Sequence, residues 1–160
     1  MRGAILPNRL YVMAKVLIIL GSKSDMEYAE TCAKQLEELG IGSSIEVSSA
    51  HRHPERTAQL TSGAEANGFE VIVAMAGLSA ALPGVAAAHS NLPVIGVPLP
   101  GALEGLDSLL SVVQMPHGIP VAGVAIGNTG AKNAAILAAR ILGLKYPETK
   151  KTHDAFRKAL

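Results

Sequence analysis

Short unbroken apolar runs alternate along this chain with longer stretches of helical period. Residues 16–20 (VLIIL) are apolar at every position and stop at Gly21, the pattern of a strand buried on both faces. Ala29, Cys32, Ala33, Leu36 and Leu39 then recur at helical spacing up to Gly40, a natural helix stop. Ser24 and Glu27 have the spacing of a capping box at the start of that helix. A second strand is predicted near residues 45–47. A helix is predicted from Pro54, which a first helical turn tolerates, to near Gly68. Residues 71–76 and 93–97 predict the third and fourth strands, with a short helix at 82–89 between them. Residues 106–114 predict another helix, 121–126 the fifth strand and 131–142 a long Ala-rich helix. The polar tail, 147–160, predicts a last helix packed outside the core. Strands alternating with helices mean a parallel sheet covered on both faces. The expected fold is one three-layer αβα domain.

Composition agrees and adds three points. The chain has 160 residues, 49% of them hydrophobic, which suits one domain and excludes intrinsic disorder. Fourteen Lys and Arg against thirteen Asp and Glu leave a net charge of +1, so nucleic acid has no electrostatic footprint to bind. A single cysteine, Cys32, cannot form an internal disulfide and fits a reducing compartment. Charged residues reach only 17% and the mean hydropathy is +0.31. Such a surface predicts that part of the exterior is covered, hence a homo-oligomer.

Residues 71–103 contain no Asp, Glu, Lys or Arg, yet Gly77, Pro83, Gly84, His89, Asn91, Pro93, Pro98 and Pro100 break them into short pieces. No piece reads as a membrane span. The N-terminus lacks the sustained apolar core of a signal peptide, so a cytoplasmic protein is expected. Residues 1–14 read as an N-terminal extension and 15–160 as the domain with its C-terminal helix. Residues 1–12 are expected to be dispensable, because Met13-Ala14-Lys15 leads directly into the first strand.

In parallel α/β sheets ligands bind beyond the carboxyl ends of the strands. The first such loop, Gly21-Ser22-Lys23-Ser24-Asp25, offers hydroxyls, backbone N–H groups and a helix start, which suits a phosphate. Helix capping alone would explain Ser24 and Asp25 equally well. The loop is neither a Walker motif nor a dinucleotide fingerprint. The second loop, Ser49-Ala50-His51-Arg52-His53-Pro54, supplies a guanidinium for an anion and an imidazole that titrates near neutral pH. His51 and His53 lack a third metal ligand, and His53 is expected to face solvent. The third loop, Ala76-Gly77-Leu78-Ser79-Ala80, is nearly free of side-chain chemistry. Its glycine would let a flat ligand lie against backbone, as would Gly84 beyond it, or would serve tight packing. Cys32 lies on an apolar stripe and reads as core. His89, His117 and His153 have no convergent partners. No metal and no cofactor is expected. The residues point to proton transfer on a small phosphorylated molecule.

Five blocks carry a resemblance over almost the whole chain: GSKSD at 21–25, SAHRHPER at 49–56, AGLSAALPG at 76–84, GLDSLLSVVQMPHGIPVAGVAIG at 105–127 and NAAILAARILGLKYPE at 133–148. Together they resemble the 5-(carboxyamino)imidazole ribonucleotide mutase family of purine biosynthesis, the phosphoribosylaminoimidazole carboxylase catalytic subunit. The resemblance implies a flavodoxin-like fold, a homo-octamer and a ribonucleotide substrate. It implies His51 as the catalytic histidine and Ser22, Asp25 and Arg52 as substrate-binding residues. Ser24 and Ser49 would line the phosphate and ribose pocket, with Gly77 and Ser79 in the wall. One position departs from the mutase pattern: a histidine usual in the third block is Ala81 here. Direct carboxylation of aminoimidazole ribonucleotide, or a non-catalytic nucleotide-binding module, are the alternatives.

Overall fold

The computed structural model describes residues 14–160; the expectation that residues 1–12 are dispensable lies outside them. Five parallel strands, β1 (Ala14–Leu20), β2 (Gly42–Val47), β3 (Val71–Ala76), β4 (Val94–Pro98) and β5 (Ala122–Gly123), stand in the order β2-β1-β3-β4-β5. Six helices connect and follow them: α1 (Met26–Glu38), α2 (Pro54–Ser62), α3 (Ala81–His89), α4 (Leu106–Val113), α5 (Gly127–Leu142) and α6 (Pro147–Lys158). This is the flavodoxin-like strand order.

Side chains alternate across a strand, so each apolar run splits between two cores. Val16, Ile18 and Leu20 join Ala29, Cys32 and Leu36 of α1 and Ala131, Ala134, Ala135 and Ala138 of α5 on one face. Leu17 and Ile19 join Ile72, Ala74, Leu82, Ala86 and Val112 on the other, beneath α3 and α4. Cys32 is fully buried, as its place on the apolar stripe predicts, and burial pushes its thiol up to about 12. A thiol that far from ionising is inert.

Several predicted boundaries move; α5 starts at Gly127 rather than at residue 131, and β2 at Gly42 rather than near residue 45. The helix from Pro54 ends at Ser62 and gives way to a run of turns that closes at Gly68 (φ 86°), where the Phe69 N–H reaches back to the Ala64 carbonyl at 3.1 Å. The fifth strand shrinks to two residues. Pro120 lacks an N–H, the partner strand ends at Pro98, and the chain must turn at Gly127 (φ 69°) to start α5. The capping box does not form. Ser22 instead caps a 3₁₀ turn at Lys23–Asp25, and no side chain caps α1.

At the amino end of the sheet, opposite the strand-end loops, four side chains form a clasp. Glu70 accepts from Lys15 at 2.9 Å, from Lys145 at 3.0 Å and from the Tyr146 hydroxyl. Both ammonium groups also lie over the Tyr146 ring, 5.4 and 5.2 Å from its centre. The clasp ties the α5–α6 link to β1 and to the entry of β3. Burial works to raise the Glu70 carboxyl, but the hydrogen bonds from Tyr146, Lys15 and Lys145 outweigh it and hold the group at about 2, against a usual 4.5. A carboxyl lowered on folding stabilises fully above its unfolded value, and the gain is lost as pH falls through the window from 4.5 to about 2. Glu70→Gln is therefore expected to melt lower than the native chain at neutral pH and to converge with it near pH 2. Melting curves that stay parallel down the whole range would remove Glu70 from the acid response.

Candidate functional site

The order β2-β1-β3 makes the chain leave β1 to one side and return to the other, opening a crevice at the carboxyl ends of β1 and β3. A hollow of about 590 Å³ occupies that crevice. It is lined by the loops after β1, β2, β3 and β4, and its wall contains Ser22, Ser24, Asp25, Ser49, His51, Arg52, Gly77 and Ser79. All eight residues expected from the sequence are brought together.

Local hydrogen bonds shape the first two loops. The Ser24 backbone N–H donates to Ser22 Oγ at 3.3 Å, closing the 3₁₀ turn. The Ser24 hydroxyl lies 2.9 Å from Ser22 Oγ and 3.1 Å from Asp25 Oδ1, with one proton to give to either. In the second loop the Arg52 backbone N–H donates to Ser49 Oγ at 3.2 Å, and the His53 N–H to the Ser49 carbonyl at 2.8 Å. These bonds fold the segment back before α2. Arg52 Nη2 donates to the Gly21 carbonyl at 3.2 Å and so ties the two loops together. A guanidinium has five N–H donors, and among the described residues this is the one its side chain spends. The rest remain for an anion beside Ser22 and Ser49.

His51 is exposed to the hollow, and its ring makes no hydrogen bond to any described residue. Both ring nitrogens are open to a ligand. Ala50, Ala80, Ala81, Leu82, Leu99 and Pro100 supply the apolar part of the wall. One side of the hollow is therefore polar, with the Arg52 guanidinium and the Asp25 carboxylate, and the other is small and apolar.

Other histidines stay apart. His53 is exposed and faces an adjoining hollow with Lys23, Arg52 and Arg56. His89 lines a separate hollow at the far end of β4. His153, in α6, is buried with Nδ1 3.6 Å from Asp154 Oδ1. Gly84 does not line the site: a Cβ there would stand 3.2 Å from Met115 Sδ, so its smallness serves the packing of α3 against the loop after α4. A Cβ on Gly77 would make only ordinary contact, 3.5 Å from the Leu99 carbonyl oxygen. Among the described residues no group of three or more His, Cys, Asp or Glu side chains could hold a metal ion.

One feature of the site escapes sequence reasoning. Leu78 lines the hollow with φ at 55°, a left-handed backbone that leucine rarely adopts. No local signal announces it.

Comparison with known proteins agrees with this fold. The chain is 57% identical over 137 residues to the N5-carboxyaminoimidazole ribonucleotide mutase of Saccharolobus solfataricus, covering 85% of each chain. It is 50% identical to the protein of the same name in Pseudomonas aeruginosa, over 90% of this chain and 89% of that one. The crystal structure of Treponema denticola PurE superposes with a TM-score of 0.81 at 33% identity, covering 90% of this chain and 89% of the other. The family profile described as AIR carboxylase matches residues 15–160, and this chain belongs to that family.

Proposed function

We propose that this chain is an N5-carboxyaminoimidazole ribonucleotide mutase of purine biosynthesis, with the hollow at the β1/β3 switch point as its active site. The observation that carries the reading is the convergence of Ser22, Asp25, Ser49, His51 and Arg52 on one hollow. The relatives' names supply the substrate. Arg52, Ser22, Ser24 and Ser49 bind the phosphate end through charge-assisted and hydroxyl hydrogen bonds. Asp25 accepts from the ribose hydroxyls. The flat imidazole lies against Gly77, Ser79 and the apolar wall.

In the reaction the bond between the exocyclic nitrogen and the carboxylate carbon breaks, releasing carbon dioxide inside the hollow. The neighbouring ring carbon then attacks that carbon dioxide and forms the new carbon–carbon bond. One proton leaves the ring carbon and one joins the amine, and His51 moves it between them. Holding the gas beside its acceptor replaces a bimolecular encounter with a positioned one. Excluding water prevents its loss.

Assembly belongs to the same reading. Leu106, Leu110 and Val113 are 53%, 49% and 45% exposed at helical spacing along α4, with Leu103 at 63% just before it. A contiguous apolar stripe of this kind is covered in a working protein. The resemblance makes the cover further copies of the chain, to a homo-octamer. Among the described residues no helix is long and apolar enough to cross a membrane, which suits the proposed cytoplasmic setting.

The test is an absorbance assay of the purified chain, supplied either with the carbamate substrate or with the amine plus bicarbonate. Fast conversion of the carbamate supports the mutase; conversion of the amine alone would make the chain a direct carboxylase. Binding without turnover would leave only a nucleotide-binding module. Ala81 refines the test, since it lines the hollow where a histidine is usual. A dry alanine wall suits neutral carbon dioxide, whereas a histidine donor suits a carboxylate. Ala81→His is expected to raise carbamate turnover relative to amine turnover. An unchanged ratio would free position 81 from substrate choice.

A further inference from the structure

Leu78 is unfavourable on two separate grounds. Its φ of 55° places an L side chain in the left-handed region, where glycine would sit without strain. Its side chain is 56% exposed. It packs against Gly101 of the next loop, whose lack of a Cβ makes room for it: an added Cβ there would come within 2.9 Å of Leu78 Cδ2. The Ala80 N–H donates to the Leu78 carbonyl at 2.8 Å and holds the turn in this shape. Leu78 and Gly101 both line the active-site hollow, so the leucine bridges the loops after β3 and β4 along its edge.

Strain maintained at a site marks a role there, and an exposed apolar group is repaid only when something covers it. From this geometry we infer that Leu78 is a retaining wall for the carbon dioxide formed between the two bond changes. The inference rests on the mutase reading. Once nucleotide fills the hollow, the leucine side chain is covered and closes the apolar side, where a neutral gas would otherwise diffuse out. Escape is a defined side reaction. The carbamate's carbon–nitrogen bond breaks, the amine takes up its proton, and carbon dioxide is lost to water as bicarbonate without a new carbon–carbon bond.

The experiment measures two products from the carbamate substrate, the rearranged carboxylate and the free amine, in the full-length chain. Leu78→Gly removes the wall and the strain together, so its melting temperature is expected to equal or exceed the native value. Its ratio of free amine to carboxylate is expected to rise roughly tenfold, about what the covered apolar area of half a leucine is worth. Leu78→Met restores bulk and apolarity and is expected to restore the ratio. If the native chain turns over and Leu78→Gly leaves the ratio unchanged, the wall does not exist while the mutase reading stands. An altered assembly with a native ratio would overturn it equally, because Leu78 would then be a contact between copies. A native chain that converts no carbamate would instead defeat the functional reading beneath it.

Discussion

His51→Asn is expected to bind the nucleotide as the native chain does and to turn it over roughly 10²–10⁴-fold more slowly, the usual worth of a positioned proton carrier. The side chain lines the hollow and makes no hydrogen bond to any described residue, so nothing in the fold depends on it. Asparagine keeps the approximate bulk and polarity but cannot take up a proton near neutral pH. On the proposed reading Arg52, Ser22 and Ser49 hold the phosphate, so affinity measured by calorimetry should persist. Near-native turnover in His51→Asn would move the proton step to another group. Loss of binding together with turnover would make His51 a substrate contact instead.

Gly130→Ala is expected to cost at least about 3 kcal/mol, the upper part of what overpacking a core does. Gly130 is buried in the first turn of α5, and an added Cβ would stand 1.7 Å from the Ala125 carbonyl oxygen and 3.1 Å from Val97 Cγ1. The first obstacle is backbone, which cannot rotate aside. Relieving it means pushing α5 off the sheet, and with it the alanine face that packs on α1. Against a total stability of about 5–15 kcal/mol this is a large share. Urea unfolding supplies the check, with Gly21→Ala as the contrast, since nothing stands within 4 Å of a Cβ there. A Gly130→Ala midpoint equal to the native one would refute the packing argument.

Much of this architecture is readable in the sequence because a doubly wound sheet is built from local signals. Unbroken apolar runs such as residues 16–20 and 71–76 locate the buried central strands, and each strand end then points to a loop of the site. That is why eight residues named from loops far apart in the chain line one hollow. What escapes depends on long-range partners. The stunted β5 owes its length to a proline on its neighbouring strand. The Glu70 clasp joins residues 15, 70, 145 and 146, a combination no window of sequence displays. Leu78 is hidden for another reason: its backbone angle contradicts its own residue preference.

The burial of Cys32 has a practical side. The chain contains one cysteine, and its thiol is both out of solvent and far from ionising at neutral pH. Maleimides and iodoacetamides attack thiolates they can reach, so the native protein is a nearly blank background for labelling. A cysteine introduced at Lys23, on the exposed 3₁₀ turn beside the hollow, would carry a fluorophore or spin label in one place per chain. Nucleotide arrival could then be followed in real time, by a probe that owes nothing to catalysis.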